Sequence, residues 1–181
     1  MFRVPIIWLA VVLMSGSSTL ASAPPAAQNS SSASVTRPPS PTQSPSYDSP
    51  YDAEAARELF DRANHARARA GAPPLEMNLD LTRAARAHAV EMAARQQLSH
   101  QFPGEPSLLT RLTKNSGLHL DAAAENVAYA STVEQLHDVL MHSPPHRENL
   151  LNPAYNVGGF SVVRSGSLLY VSEEFAHRRT R

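Results

Sequence analysis

Four histidines, His100, His119, His142 and His146, fall near irregular backbone, where an imidazole can bind a metal or move a proton. The stretch Ser143-Pro144-Pro145-His146-Arg147-Glu148-Asn149 is dense in polar groups. His142 and His146 are four residues apart, but two prolines between them forbid the continuous helix that would align both rings on one zinc ion. The chain contains neither HExxH nor GxSxG, so neither a zincin nor a nucleophile elbow is supported. Glu125-Asn126 lies where a polar, helical region passes into an apolar one. Taken singly, each histidine is better explained as a surface or hydrogen-bonded side chain than as a reactive group. The order of these residues along the chain says more than any one of them.

The counts narrow the chemistry. Lys+Arg and Asp+Glu are equal, 16 each in 181 residues, which argues against a nucleic-acid binder. Cysteine is absent, which removes disulfides, thiolate metal sites and cysteine nucleophiles. Residues 1–23 read as an export signal: Arg3, then the apolar run 4–14, then small residues ending Ala21-Ser22-Ala23. That run is too short to span a bilayer, which takes about 20 residues. Residues 24–52 form a linker rich in Pro and Ser; from 24 to 50 there is no Leu, Ile, Phe or Trp to bury against chain entropy. The folded unit is therefore expected over 53–178, with 179–181 as a tail. It is large enough to bury a core without staples.

Within that unit, Asp52 can cap a helix to about Ala70, with Ala56, Leu59, Phe60, Ala63 and Ala70 on its apolar side and Gly71 terminating it. Asn78 can cap a second helix to about Gln97, whose stripe Leu81, Ala85, His88 and Met92 makes His88 a buried histidine with a backbone partner. Ser107 can cap a short helix through Thr113, and Thr132 to Gln135 is a capping box opening a helix to about Met141, stopped by Pro144-Pro145. Tyr155–Val163 and Leu168–Phe175 flank Ser165-Gly166 as a hairpin, with Leu75–Met77 and Asn126–Tyr129 as short additional strands. Helices first and strands late, without βαβ alternation, predict an α+β fold with helices packed on an antiparallel sheet. Leu108, Leu109, Leu112 and Leu118 could line a groove, but their helical spacing points to core. Arg147 and Glu148 are expected to form local ion pairs, and Gly158-Gly159 to allow close packing of a strand.

In sequence order, Asn64, Arg67, Gly71, Leu75, Asn78, Leu81, Ala85, His88-Ala89, Met92 and Ser99-His100 are followed by Arg111, Glu125-Asn126-Val127-Ala128 and Met141 through Pro153. Tyr155, Val157-Gly158-Gly159-Phe160, Tyr170 and Phe175 complete the run. Over 57–176 this pattern resembles the CAP superfamily, also called the SCP domain: cysteine-rich secretory proteins, antigen 5 and pathogenesis-related class 1 proteins. It is similar to the bacterial, cysteine-free branch. The resemblance implies a three-layer α-β-α sandwich with a central antiparallel sheet and a cavity lined by two His and two acidic residues. His100 matches the first His, Glu125 the first acid and His146 the second His; the second acid falls on Ser143. Three departures stand out: Ala124 for a common Gly, Leu140 for the usual Trp, and Val171-Ser172-Glu173 for Trp-Thr-Gln.

Two imidazoles and a carboxylate suit a divalent metal such as zinc, so the resemblance implies His100, Glu125 and His146 as ligands of a weakly bound ion, Ser143 being a poor one. A metal-free hydrogen-bonded cluster that orders the surrounding loops is the competing account. A hydrolase would use Ser143 as nucleophile, His146 as base and Glu125 as orienter, but no oxyanion hole is visible and Pro144 removes a backbone N–H. Lipid or sterol carriage is known among eukaryotic relatives. The expectation is a secreted or periplasmic, non-enzymatic binding module: a monomer with a lipid, sterol or cell-envelope ligand, no nucleic acid and no stable membrane span. A cell-envelope hydrolase, metal-assisted or based on Ser143, is the alternative.

Overall fold

The computed structural model describes residues 50–114 and 116–179. The export signal over 1–23, the linker up to residue 49 and the last two residues of the tail lie outside them. The order of elements is α1 (Ala53–Arg69), β1 (Glu76–Met77), α2 (Leu79–Arg95), α3 (Leu108–Thr113), β2 (Leu120–Ala130), α4 (Val133–His142), α5 (Pro144–Leu151), β3 (Val157–Ser165) and β4 (Leu168–Arg178). The strands form one sheet in the order β1-β3-β4-β2. β4 pairs antiparallel with β2 and β3, and only the two-residue β1 runs parallel to β3.

Alternation along the strands divides the sheet into two buried faces. Phe160, Val162, Val171 and Phe175 face α1, α4 and α5, where Leu59, Phe60, Leu136, Leu140 and Leu150 complete one core. Val127, Val163 and Tyr170 face α2, packing on Ala89, Met92 and Phe102. The fold is thus the α-β-α sandwich with a central, mainly antiparallel sheet. Leu112, with Leu108 and Leu118 beside it, packs on Leu81, Val157 and Ala176, so the leucines near α3 are core; only Leu109 is exposed.

Caps define most helix starts. The Asp52 carboxylate accepts from Ala55 N at 2.9 Å, and Asn78 Oδ1 accepts from Asp80 N and Leu81 N. Thr132 accepts from Gln135 N at 3.2 Å, while Gln135 Oε1 accepts from Ser131 N, one residue earlier than an ideal capping box. Ser107 makes no cap bond; its hydroxyl instead hydrogen-bonds Thr110 Oγ1.

Three expectations change. Pro144-Pro145 end α4 but also occupy the first two positions of a new helix, α5, where a missing N–H costs nothing and φ is already set. β2 is eleven residues long and includes the alanine run 122–124, because pairing with β4 overrides alanine's weak strand preference. Pro50–Asp52, placed in the linker by composition, pair with the β3 edge: Asp52 N donates to Val162 O and Arg164 N to Pro50 O. In the tail, Arg179 N donates to His119 O.

Two contacts hold the layers in place. A Cβ added to Gly159 would sit 2.2 Å from Thr82 N, so α2 lies directly on the β3 backbone. Arg67 of α1 is fully buried and donates to four main-chain carbonyls: Pro73 at 2.8 Å, Leu150 at 2.8 Å, Asn152 at 2.9 Å and Tyr155 at 2.9 Å. A lysine cannot reproduce this planar fork. Arg67→Lys is expected to lower unfolding free energy by about 2–4 kcal/mol, through carbonyls left unsatisfied in the interior. Chemical denaturation measures it, and a loss within error of zero would show that the clamp is dispensable.

Candidate functional site

Glu125 sits in the middle of β2, on the face toward α2, and its side chain is 2% exposed. Its Oε2 lies 2.8 Å from His100 Nδ1, and its Oε1 accepts from Arg111 Nη2 at 2.7 Å and from the Ser172 hydroxyl at 3.4 Å. Burial pushes the Glu125 carboxyl up, but the hydrogen bond from His100 and the attraction of His88 and Arg111 outweigh it and hold the group below the ordinary glutamate range. An ionised carboxylate only accepts, so His100 Nδ1 donates. His100 Nε2 is then left buried with no hydrogen-bond partner among the described residues.

His100 lies on the loop between α2 and α3, which leaves α2 through the left-handed Gln96 (φ 52°). His146 lies in the first turn of α5 and is buried; burial, followed by the proximity of His100, lowers its pKa and keeps the ring neutral. Ser143 precedes α5, and its hydroxyl is buried without a partner among the described residues. The structure thus joins His100 to Glu125 directly and brings His146 close enough to feel His100. It does not join Glu125 to His146, nor Ser143 to His146 by a hydrogen bond. No hydrogen bond links Ser143, His146 and Glu125 into a relay among the described residues.

Fit for a metal follows from the same atoms. A carboxylate behind a histidine, fixing one nitrogen and freeing the other, is the usual outer-shell arrangement of a metal-bound imidazole. Glu125 stands behind His100, so His100 and His146 are the two nitrogens that would hold an ion, and Glu125 would orient. Among the described residues no group of three His, Asp or Glu is arranged to hold a metal. A two-nitrogen set leaves most positions to water and suits weak binding only.

Several residues of the cluster carry roles that the sequence does not announce. His88 is fully buried and has the expected backbone partner, Ser99 O at 2.7 Å, but also Glu105 Oε1 at 2.6 Å. Arg111 bridges Glu105 (2.9 Å) and Glu125 (2.7 Å). On β4, Glu174 lies opposite Glu125 and its pKa is raised well above the usual value, by burial first and then by the Glu125 charge. A signal exists: Arg111 is at helical spacing from Leu108, and adjacent Glu173-Glu174 in an apolar strand must point to opposite buried faces.

On the other face, Asn126 works as a hub. Its Nδ2 donates to His146 O (3.0 Å) and Glu173 Oε2 (3.1 Å), and its Oδ1 accepts from Asn149 (3.0 Å). The departures at 124 and 140 are also accounted for. Among the described residues Gln96 is the only non-glycine with positive φ, so Ala124 is unstrained, and Leu140 is fully buried in the core rather than at a rim. Arg147 and Glu148 form no ion pair among the described residues. They line an open cavity of about 410 Å³ with Met141, His142, Pro144, Leu151 and Asn152, which His100, Glu125 and His146 do not border.

The sandwich and its His/Glu cluster define the class of protein. The model of the cysteine-rich secretory protein family, CAP, matches residues 60–175, and the chain belongs to this family. The uncharacterized protein YkwD of Bacillus subtilis (strain 168) is 31% identical over 128 residues, 70% of this chain and 48% of that protein. The chain thus spans about half the length of the curated relative it matches. An outer surface protein from Borrelia burgdorferi superposes with a TM-score of 0.65 at 17% identity, over 70% of this chain and 95% of that one. A cysteine-rich secretory protein from Staphylococcus aureus subsp. aureus Mu50 gives 0.58 at 26% identity, over 75% and 41%.

Glu173 is fully buried, its Oε1 has no partner among the described residues, and burial pushes its carboxyl up to about 8. Because the unfolded carboxyl ionises near 4.5, the unfolded chain gives up this proton first, and stability falls as pH rises from 4.5 to about 8. Glu173→Gln is expected to remove that fall, gaining on wild type by on the order of 3–5 kcal/mol across this window. Parallel denaturation midpoints for both proteins at pH 5 and pH 8.5 would disprove it.

Proposed function

We propose that this chain is a non-enzymatic, extracytoplasmic binding module whose His100–His146 pair takes a divalent metal weakly, with Glu125 orienting His100. The observation that carries the reading is the His100 ring: Nδ1 is fixed on Glu125 at 2.8 Å, and Nε2 is buried without a protein partner among the described residues. A buried ring nitrogen in a polar setting needs an ion or a water to satisfy it. Location outside the cytoplasm is supported by the signal pattern over 1–23 and by relatives described as an outer surface protein and a secretory protein. Among the described residues no helix is long and apolar enough to cross a membrane. A polar cell-envelope ligand fits better than a lipid or sterol, because the leucines around α3 are spent on Leu81, Val157 and Ala176. The Ser143 hydroxyl has no hydrogen-bonded base among the described residues, which weighs against hydrolysis.

Calorimetric titration with zinc is expected to give heat with wild type that is lost in His100→Ala and in His146→Ala. Equal heats in all three proteins reject the metal. Release of a fluorogenic ester or peptide that disappears in Ser143→Ala would overturn the non-enzymatic reading, and lipid co-purifying in repeated preparations would overturn the choice of a polar ligand.

A further inference from the structure

Glu105 lies on the loop that carries His100, and its carboxylate gathers donors from three elements. It accepts from Phe102 N of its own loop at 2.9 Å, from His88 Nδ1 of α2 at 2.6 Å and from Arg111 Nη1 of α3 at 2.9 Å. The two side chains held this way then reach the backbone at His100. His88 Nε2 lies 2.7 Å from Ser99 O, and Arg111 Nη2 donates to His100 O at 3.2 Å as well as to Glu125. Two successive peptide planes are therefore pinned by side chains that Glu105 anchors. Since φ and ψ are the only soft backbone torsions, pinning both planes fixes the Cα–Cβ direction of His100. Glu125 then fixes the ring about its own axis.

We propose that Glu105 is the positioning residue of this site: through His88 and Arg111 it sets the corner at Ser99-His100, and so decides that His100 presents Nε2, and not Nδ1, to a ligand. The inference rests on the reading of His100 as a ligand-binding residue. Glu105 touches no ligand position itself. Charge and shape both matter in this role, because a neutral amide offers one oxygen where three donors converge.

The test uses the full chain. Glu105→Gln keeps the shape and removes the charge; His88→Gln keeps a donor for Ser99 O and loses the one to Glu105. Nitrogen-15 spectra of the histidine rings and amide exchange over 99–103 are recorded without metal, followed by titration with zinc ion. Wild type is expected to show His100 as a single Nδ1–H tautomer. Glu105→Gln is expected to mix both tautomers, speed exchange at 100–102 by about 10-fold and weaken zinc by about 10-fold, the smaller end of the loss when a ligand's orienting shell is disturbed. His88→Gln should move the same way by less. A purely structural role lowers the melting temperature but leaves the ring spectrum alone, so an unchanged tautomer and unchanged loop exchange in folded Glu105→Gln overturns the proposal. Should that variant not fold, His88→Gln decides on the same readouts. If wild type ignores zinc while the ring spectrum responds as expected, the metal reading fails and the positioning role stands.

Discussion

A carboxylate in the middle of an edge strand, buried on the face that α2 covers, is the constraint that organises this molecule. Glu125 cannot keep its charge there unless donors come to it, and the side chains that meet it come from other elements. Arg111 arrives from α3, the His100 ring from the loop and the Ser172 hydroxyl from β4. Such buried charge networks add little net stability, yet removing one partner is costly because the other is stranded. The short α3 and the loop before it are therefore held to the sheet by compensation of charge as much as by Leu112.

β4 poses the same problem twice, once for each face. Glu174 shares its side with Glu125 and answers the conflict by keeping its proton. Glu173 points the other way, where among the described residues only the Asn126 amide hydrogen-bonds it, and also stays protonated. Adjacent residues of one strand thus link the two layers: one underlies the His100 cluster, and the other sits beneath the amide that holds the His146 backbone. The two histidines come from different elements, His100 from the loop after α2 and His146 from the first turn of α5.

Local chemistry is legible wherever a single side chain decides it. Asp52, Asn78 and Thr132 announce helix starts because a cap needs only its own next turn. α5 stays hidden in the sequence because Pro144-Pro145 read equally as a stop and as a start, and only packing of Leu150 chooses between them. The first half of β2 stays hidden because an alanine run has no strand signature without β4 beside it. At the site, the order of His100, Glu125 and His146 is readable through resemblance to a known family. The roles of Glu105, Arg111 and His88 are not, since they depend on which acid meets which base across 6 to 25 residues of chain.

The Arg67 clamp has a consequence for the order in which the chain matures. Three of its four carbonyl partners follow it by 83, 85 and 88 residues. Until they arrive, the first helix cannot bury its guanidinium without stranding a cation in an apolar interior. The first helix of the sandwich is thus tied to carbonyls far along the chain, and long separations of this kind slow folding. A chain still short of Leu150 offers the Arg67 guanidinium only the carbonyl of Pro73.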